Sequence, residues 1–225
     1  MSMDYFSEAC ATYRYLRERG YADGAALKLV GDHHRLSRLQ RNCIFRGIIP
    51  ESWASARRAR TVSTAAVARA PLGIDWYNVL ITVESHLRGV TIFLAEDGFA
   101  RDAAAAHASF RPTILTERAI TEILSTVDLL SPSRVEIFID APIAHSAMMA
   151  ERVRAQCVGF PFPVEASLAH SADYPLKSFP GIVASSDSAI IDRTARALDL
   201  AACVLLIRFG FTPPPILDIP RPARE

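Results

Sequence analysis

The chain has 225 residues, half of them hydrophobic and 22% charged, with a formal net charge of +1. That composition excludes an extended disordered polyelectrolyte, and the length allows one generous domain with a small helical extension. Charge is unevenly placed: residues 1–70 hold 12 Lys/Arg against 6 Asp/Glu, whereas residues 71–225 hold 13 against 18. A basic start joined to an acidic remainder fits a phosphate-backbone holder beside a carboxylate site, or a helical surface that is simply Arg-rich. Cys10, Cys43, Cys157 and Cys203 form no C-x-x-C pair, which argues against structural zinc and against a disulfide framework. The N-terminus lacks a basic stretch followed by an apolar one, and no run of 18 apolar residues occurs. The expectation is a cytoplasmic protein with no membrane partner.

In chain order, residues 4–19 read as an amphipathic helix, with Tyr5, Phe6, Cys10, Tyr13 and Leu16 at helical spacing before Gly20. Asp23 opens a short second helix that ends at Gly31. A third runs from His34 to Arg46, with Arg35, Arg38, Arg41 and Arg46 mostly outward. A fourth starts at Pro50 and ends in the cluster Arg57, Arg58, Arg60, and residues 61–71 form the connection to the next domain. These features predict a basic helical region over 1–66 and a second domain over 67–225.

From Gly73 onward strand and helix signals alternate, which predicts an α/β domain with a mainly parallel sheet. The expected strands are 72–75, 89–94, 134–140, 163–168, 181–185 and 202–209, and the expected helices are 117–129, 144–157 and 188–198. Residues 78–85 are ambiguous: β-branched content favours a strand, position a crossover helix.

Three expected strands end in or near an aspartate: Asp75, Asp140 and Asp187. Parallel strands bring all three to the carboxyl edge, where open α/β sheets bind ligands. Clustered carboxylates repel and resist desolvation, so they persist where a cation neutralises them, and hard oxygen ligands suit Mg²⁺ or Mn²⁺. For each one alone, a helix N-cap is the competing role. Asp192 lies about 140° around an ideal helix from Asp187. Asp97, Glu117 and Glu122 are further acids that fit solvated surface charges better. His33 and His34 adjoin Arg35, and His145 near a helix start is a candidate proton carrier.

The segment Ile74-Asp75-Trp76-Tyr77-Asn78-Val79-Leu80 resembles the Asp-Gly-Tyr-Asn opening strand of the PIN-like nucleases, especially their NYN branch. VEIFIDAPIAHS and IVASSDSAIID are similar to that superfamily's later acidic strand ends, including its Ser-x-Asp motif. The stretch LKLVGDHHRLSRLQRNCIFRG resembles the helical region of a prokaryotic family joined to such a domain. The resemblance implies a PIN-like three-layer α/β sandwich that cleaves RNA, or sometimes DNA, with Mg²⁺ or Mn²⁺. It implies Asp75, Asp140 and Asp187 as metal ligands, Asp192 as an outer ligand, and Asn78 as the group that orients a water or phosphate. Trp76 departs from the glycine of the pattern, Ala189 stands where a second acid often follows Ser-x-Asp, and the fourth acid is open among Asp97, Glu117, Glu122 and Asp192.

The leading expectation is a metal-dependent nuclease, acting on RNA, whose backbone grip comes from Arg35, Arg38, Arg41, Arg57 and Arg58. The alternatives are a non-catalytic nucleic-acid- or protein-binding module and a metal-dependent phosphatase of small molecules. An extended cationic surface weighs against the phosphatase. Assembly as a homodimer is left open.

Overall fold

The structure, a computed structural model, describes residues 5–104 and 110–218. Four helices come first: α1 (Tyr5–Glu18), α2 (Asp23–His33), α3 (Arg38–Gly47) and α4 (Glu51–Arg58). Then follow β1 (Pro71–Asp75), α5 (Trp76–Leu87), β2 (Ile92–Leu94), β3 (Ala100–Asp102) and α6 (Thr116–Leu130). Next are β4 (Arg134–Asp140), α7 (Ser146–Gln156), β5 (Val164–Ala169) and α8 (Asp173–Leu176). The last are β6 (Ile182–Ala184), α9 (Ser188–Ile191), β7 (Ala197–Leu198) and α10 (Leu200–Phe209), before a short 3-10 turn over Ile216–Asp218. Among the described residues no helix is long and apolar enough to cross a membrane.

The chain divides into two compact units, and the first is assembled from three separate segments: residues 1–58, 90–105 and 213–225. The expected division after residue 66 therefore describes the chain's order but not its compact units. Within the first unit, α1 to α3 bury Phe6, Cys10, Tyr13, Val30, Cys43 and Ile44 in one core with Phe93, Ala103 and Ile216. Those last three come from the two later segments. Gly47 is what lets Ile216 in, because a Cβ there would collide with the Ile216 Cδ1 and meet the Phe93 ring at 2.8 Å. Helix α3 starts with a capping box in which Gln40 N donates to Ser37 Oγ and Ser37 N donates to Gln40 Oε1.

The expected strand at 89–94 is shorter here, and it pairs antiparallel with β3 rather than joining the main sheet. Its extended conformation agrees with its alternation. Its partner, however, is another three-residue strand that begins six residues further on, too short to register as a strand by pattern alone.

The second unit comprises residues 59–89 and 106–212. Its sheet is five-stranded and wholly parallel, in the order β5-β4-β1-β6-β7. Both faces are covered, as parallel sheets require. Leu72, Ile74, Val135, Ile137, Ile139, Ile182 and Ala184 point into a core shared with α5, α6, α7 and α10. The alternate residues Phe138 and Val183 point the other way, against Leu176 of α8 and Ile190 of α9. The result is a three-layer α/β sandwich, with the parallel sheet that the strand–helix alternation predicts and the layering that the resemblance implies.

Two further elements differ from expectation, and one left open is settled. Residues 202–209 are not a strand but the body of α10, which Asp199 caps by accepting from Ala202 N and which Gly210 ends in the left-handed conformation. An apolar run of this length serves a buried strand or a buried helix equally well, and only the caps distinguish them. The expected helix over 188–198 is the single turn α9, followed by the edge strand β7. The ambiguous segment 78–85 lies inside α5.

Candidate functional site

Strand order reverses beside β1: the chain passes to β4 and β5 on one side and returns to β6 and β7 on the other. Carboxyl ends of strands at such a reversal form a crevice in which ligands bind. Asp75 is the last residue of β1 and lies at this point, 4% exposed, and Trp76 begins α5 with no intervening loop.

Asp75 is held from the turn after β6. Ser185 Oγ donates to Asp75 Oδ2 at 2.8 Å and accepts from Asp187 N at 3.0 Å, so one buried hydroxyl ties the two acids together. One helical turn beyond Asp75, Asn78 Oδ1 accepts from Ser186 N at 2.8 Å and from Ser186 Oγ at 3.0 Å. Strand β1 and helix α5 are thus stitched to the turn after β6 by two consecutive serines. Neither serine stands out in the sequence as a site residue, although Ser185 opens the Ser-x-Asp motif.

Asp140 ends β4 on the other flank. Register pairs Asp75 with Phe138, so Asp140 lies two residues further along, about 6.6 Å at the rise of a strand. Its Oδ1 accepts from Ala172 N at 2.9 Å. Asp187 follows β6, caps α9 by accepting from Ala189 N at 2.7 Å, and is half-buried. Asp192 is the exposed residue that closes α9. Since β4 and β6 are separated by β1, their backbones lie about 10 Å apart. Asp140 and Asp187 therefore straddle Asp75. Among the described residues no group of three His, Cys, Asp or Glu side chains stands placed to hold one metal ion. Mg²⁺ in particular is held by one or two carboxylates, with water and substrate oxygens completing the shell. A donor set centred on Asp75, with Asp187 joined to it through Ser185, fits that requirement chemically.

Tyr77, fully buried beside Phe110 with ring centroids 5.3 Å apart, belongs to the same edge. Burial, and then the charge of Asp140, push its hydroxyl up to about 12. His145 precedes α7 with a φ of 67°, a left-handed conformation that is uncommon outside glycine, and its side chain is exposed. Glu117 and Glu122 lie on α6 and are ion-paired with Arg152 and Arg208 respectively. Glu117 is exposed and Glu122 half-buried.

Asp97 is a different case. It belongs to the first unit, is fully buried, and accepts from Arg101 Nη1 at 2.7 Å, Arg101 Nη2 at 2.8 Å and Arg57 Nη1 at 3.2 Å. Burial alone would raise its carboxyl, but the bonds and charge of Arg101, with Arg57 behind, hold it below the usual carboxylate range.

The arginines expected to grip a phosphate backbone separate accordingly. Arg57 is buried and committed to Asp97, so it is a structural group and not part of a grip. Arg41 lies across Gly31, pairs with Asp32 at 3.0 Å and donates to Leu36 O, which locks α3 to α2. Arg58 pairs with Glu51 and donates to Glu96 O. Arg35 and Arg38 are exposed. His33 and His34 are packed edge to face at 4.8 Å, at the end of α2.

Residues 64–203 match the family described as Domain of unknown function (DUF5616), and on that match the chain belongs to this family. Residues 5–60 match a second family, Protein of unknown function (DUF434). A relative from Methanocaldococcus jannaschii, Uncharacterized protein MJ0935, is 28% identical over 179 residues, which is 80% of this chain and 85% of the relative. No solved structure matches the chain.

Proposed function

We propose that the second unit is a Mg²⁺- or Mn²⁺-dependent nuclease of the PIN-like kind, hydrolysing phosphodiester bonds of RNA in the cytoplasm. The observation that carries this reading is the Ser185 hydroxyl, which joins the buried Asp75 carboxylate to Asp187 at the reversal of strand order. Asp75 and Asp187 would hold the ion, with Asp140 on the opposite flank and Asp192 further out. A bound ion of this class polarises a phosphate and lowers the pKa of a coordinated water. The chain's own part is to fix the carboxylates: Ser185 orients Asp75, the turn of α9 orients Asp187, and the amide of Ala172 orients Asp140. Arg35 and Arg38 are the exposed cations of the first unit that suit a phosphate backbone.

The test is cleavage of labelled single-stranded and structured RNA with Mn²⁺, beside a direct Mn²⁺ titration. Wild-type protein should cleave, and Asp75→Asn and Asp187→Asn should reduce cleavage to background. Absence of both cleavage and Mn²⁺ binding in the wild type overturns the reading. A second reading, a binding module that keeps the fold without its chemistry, draws on the straddled arrangement of the acids. It predicts RNA binding that survives Asp140→Asn and no Mn²⁺ site.

A further inference from the structure

We propose that Tyr174 is a base-stacking residue, whose ring holds an unpaired nucleobase of the substrate beside the aspartates of the carboxyl edge. The inference rests on the proposal that the site takes a phosphodiester strand. It adds a contact to the base, where that proposal has contacts to the phosphate alone.

The place of Tyr174 follows from alternation along the strands. Leu72, Ile74, Ile137, Ile139, Ile182 and Ala184 face the core that α5, α6, α7 and α10 cover. Asp75, Asp140 and Ser185 each come next in sequence, so they face the other side of the sheet. That is the side on which Leu176 of α8 and Ile190 of α9 pack. Helix α8 begins four residues after β5 ends, at the carboxyl edge. The amide of Ala172, its N-cap, donates to Asp140 Oδ1 at 2.9 Å. Tyr174 is two residues further on, so its Cα lies within about 7.6 Å of the Ala172 Cα.

The turn decides where the ring points. Ala172 and Leu176 are four residues apart, share one side of α8 and are buried. Tyr174 lies about 160–200° around from both, and it is 86% exposed. A tyrosine so exposed contributes little burial to the unit. Its backbone is nonetheless fixed. Leu176 anchors the turn in an apolar cluster, Asp173 pairs with Lys177 across it at 2.7 Å, and Pro175 locks one φ. A ring presented on a fixed backbone binds at low cost in conformational entropy.

The surroundings select the ligand. His170, Asp173, Lys177 and Ser178, the neighbours along the chain, are polar and either exposed or half-buried. A protein partner would bury a contiguous apolar patch around such an anchor. A nucleobase needs one flat face, with its sugar and phosphate meeting the polar rim. Stacking on a side chain takes the base out of a duplex, so the strand is unpaired where it crosses α8.

Three variants test this against one probe, a fluorescein-labelled single-stranded oligoribonucleotide of mixed sequence, followed by polarisation without added metal. Tyr174→Ala should weaken binding at least about fivefold, the lower end of what one stacked base contributes. Tyr174→Phe keeps the ring and should bind within about twofold of wild type. Tyr174→Leu keeps apolar bulk without a ring and should resemble Tyr174→Ala. Thermal unfolding should not distinguish the three, because the side chain is exposed. Wild-type affinity in Tyr174→Ala, equal affinity in Tyr174→Leu and Tyr174→Phe, or no binding by the wild type overturns the inference. Cleavage with Mn²⁺ separates it from the proposal beneath it. If the wild type cleaves and Tyr174→Ala binds as tightly, stacking fails and the nuclease reading stands. If binding depends on the ring while the wild type neither cleaves nor binds Mn²⁺, the nuclease reading fails and the stacking contact stands.

Discussion

In the sequence, the arginines of the first unit and the aspartates of the second are equally good candidates for function, yet the structure treats them differently. In the first unit many of the arginines meet opposite charges. Arg57 and Arg101 close on Asp97, Arg46 meets Asp102 at 2.8 Å, Arg14 meets Glu96, and Arg41 meets Asp32. In the second unit one bond to each of Asp75, Asp140 and Asp187 comes from a neutral donor: a serine hydroxyl and two backbone amides. A neutral donor orients a carboxylate without cancelling its charge, whereas an ion pair consumes it. The comparison teaches that a run of like charge is a candidate surface only after its partners elsewhere in the chain are found.

Of the paired charges, Asp97 carries the most stability. Asp97→Ala leaves two buried guanidinium groups without their counter-charge, and a loss of about 3–5 kcal/mol in denaturant unfolding is expected. The pH dependence has a definite sign. Because the folded pKa of Asp97 lies below the unfolded value, of about 3.9, its contribution is full above that value. It is lost as pH falls through the lower folded pKa. Wild type should therefore lose stability in acid more steeply than Asp97→Ala. Matching acid limbs would show that the pairs do not consume the charge.

Next in size is Ser185→Ala. It removes the bond to Asp75 and the acceptor for Asp187 N, for an expected cost of about 1–3 kcal/mol. Mn²⁺ affinity should fall as well, since Asp75 loses the hydroxyl that ties it to Asp187. Unchanged affinity would mean that the serine is purely structural.

His145→Gly should act in the other direction, because a left-handed non-glycine residue is strained. A gain of up to about 1 kcal/mol in thermal unfolding is expected.

The smallest stability effect belongs to Arg38→Ala, within about 0.5 kcal/mol of wild type since the side chain is exposed. RNA affinity should nonetheless fall, with the slope of log affinity against log salt reduced by about 1. An unchanged slope would remove Arg38 from the proposed backbone contact.

How much of this is legible in the sequence depends on how local the cause is. Asp75 and Asp140 can be placed at the carboxyl edge because β1 and β4 announce themselves by composition and end on an acid. The parallel α/β sheet follows from the alternation of elements. The neutralisation of the arginines is not legible, because Glu96, Asp97 and Asp102 are separated from Arg14, Arg57 and Arg46 by dozens of residues. Counting charge over the first 70 residues misses them for that reason. Asp97, a candidate fourth acid by sequence, is one of those partners. The strand expected over residues 202–209 fails for a different reason, since both a strand and a helix can bury an apolar run. The roles of Ser185 and Ser186 depend on strand order, which no local pattern encodes.

The interleaving of the first unit also sets an order of events during synthesis. Its core needs Phe93 and Ile216, so the helices of residues 5–58 must wait for residues that emerge well after them. At about 5–20 residues per second, the interval between residues 58 and 216 is roughly 8–30 s. The second unit, complete at residue 212, is expected to close before the first. During that interval Cys10, Cys43 and Ile44 lack the cover that Ile216 completes.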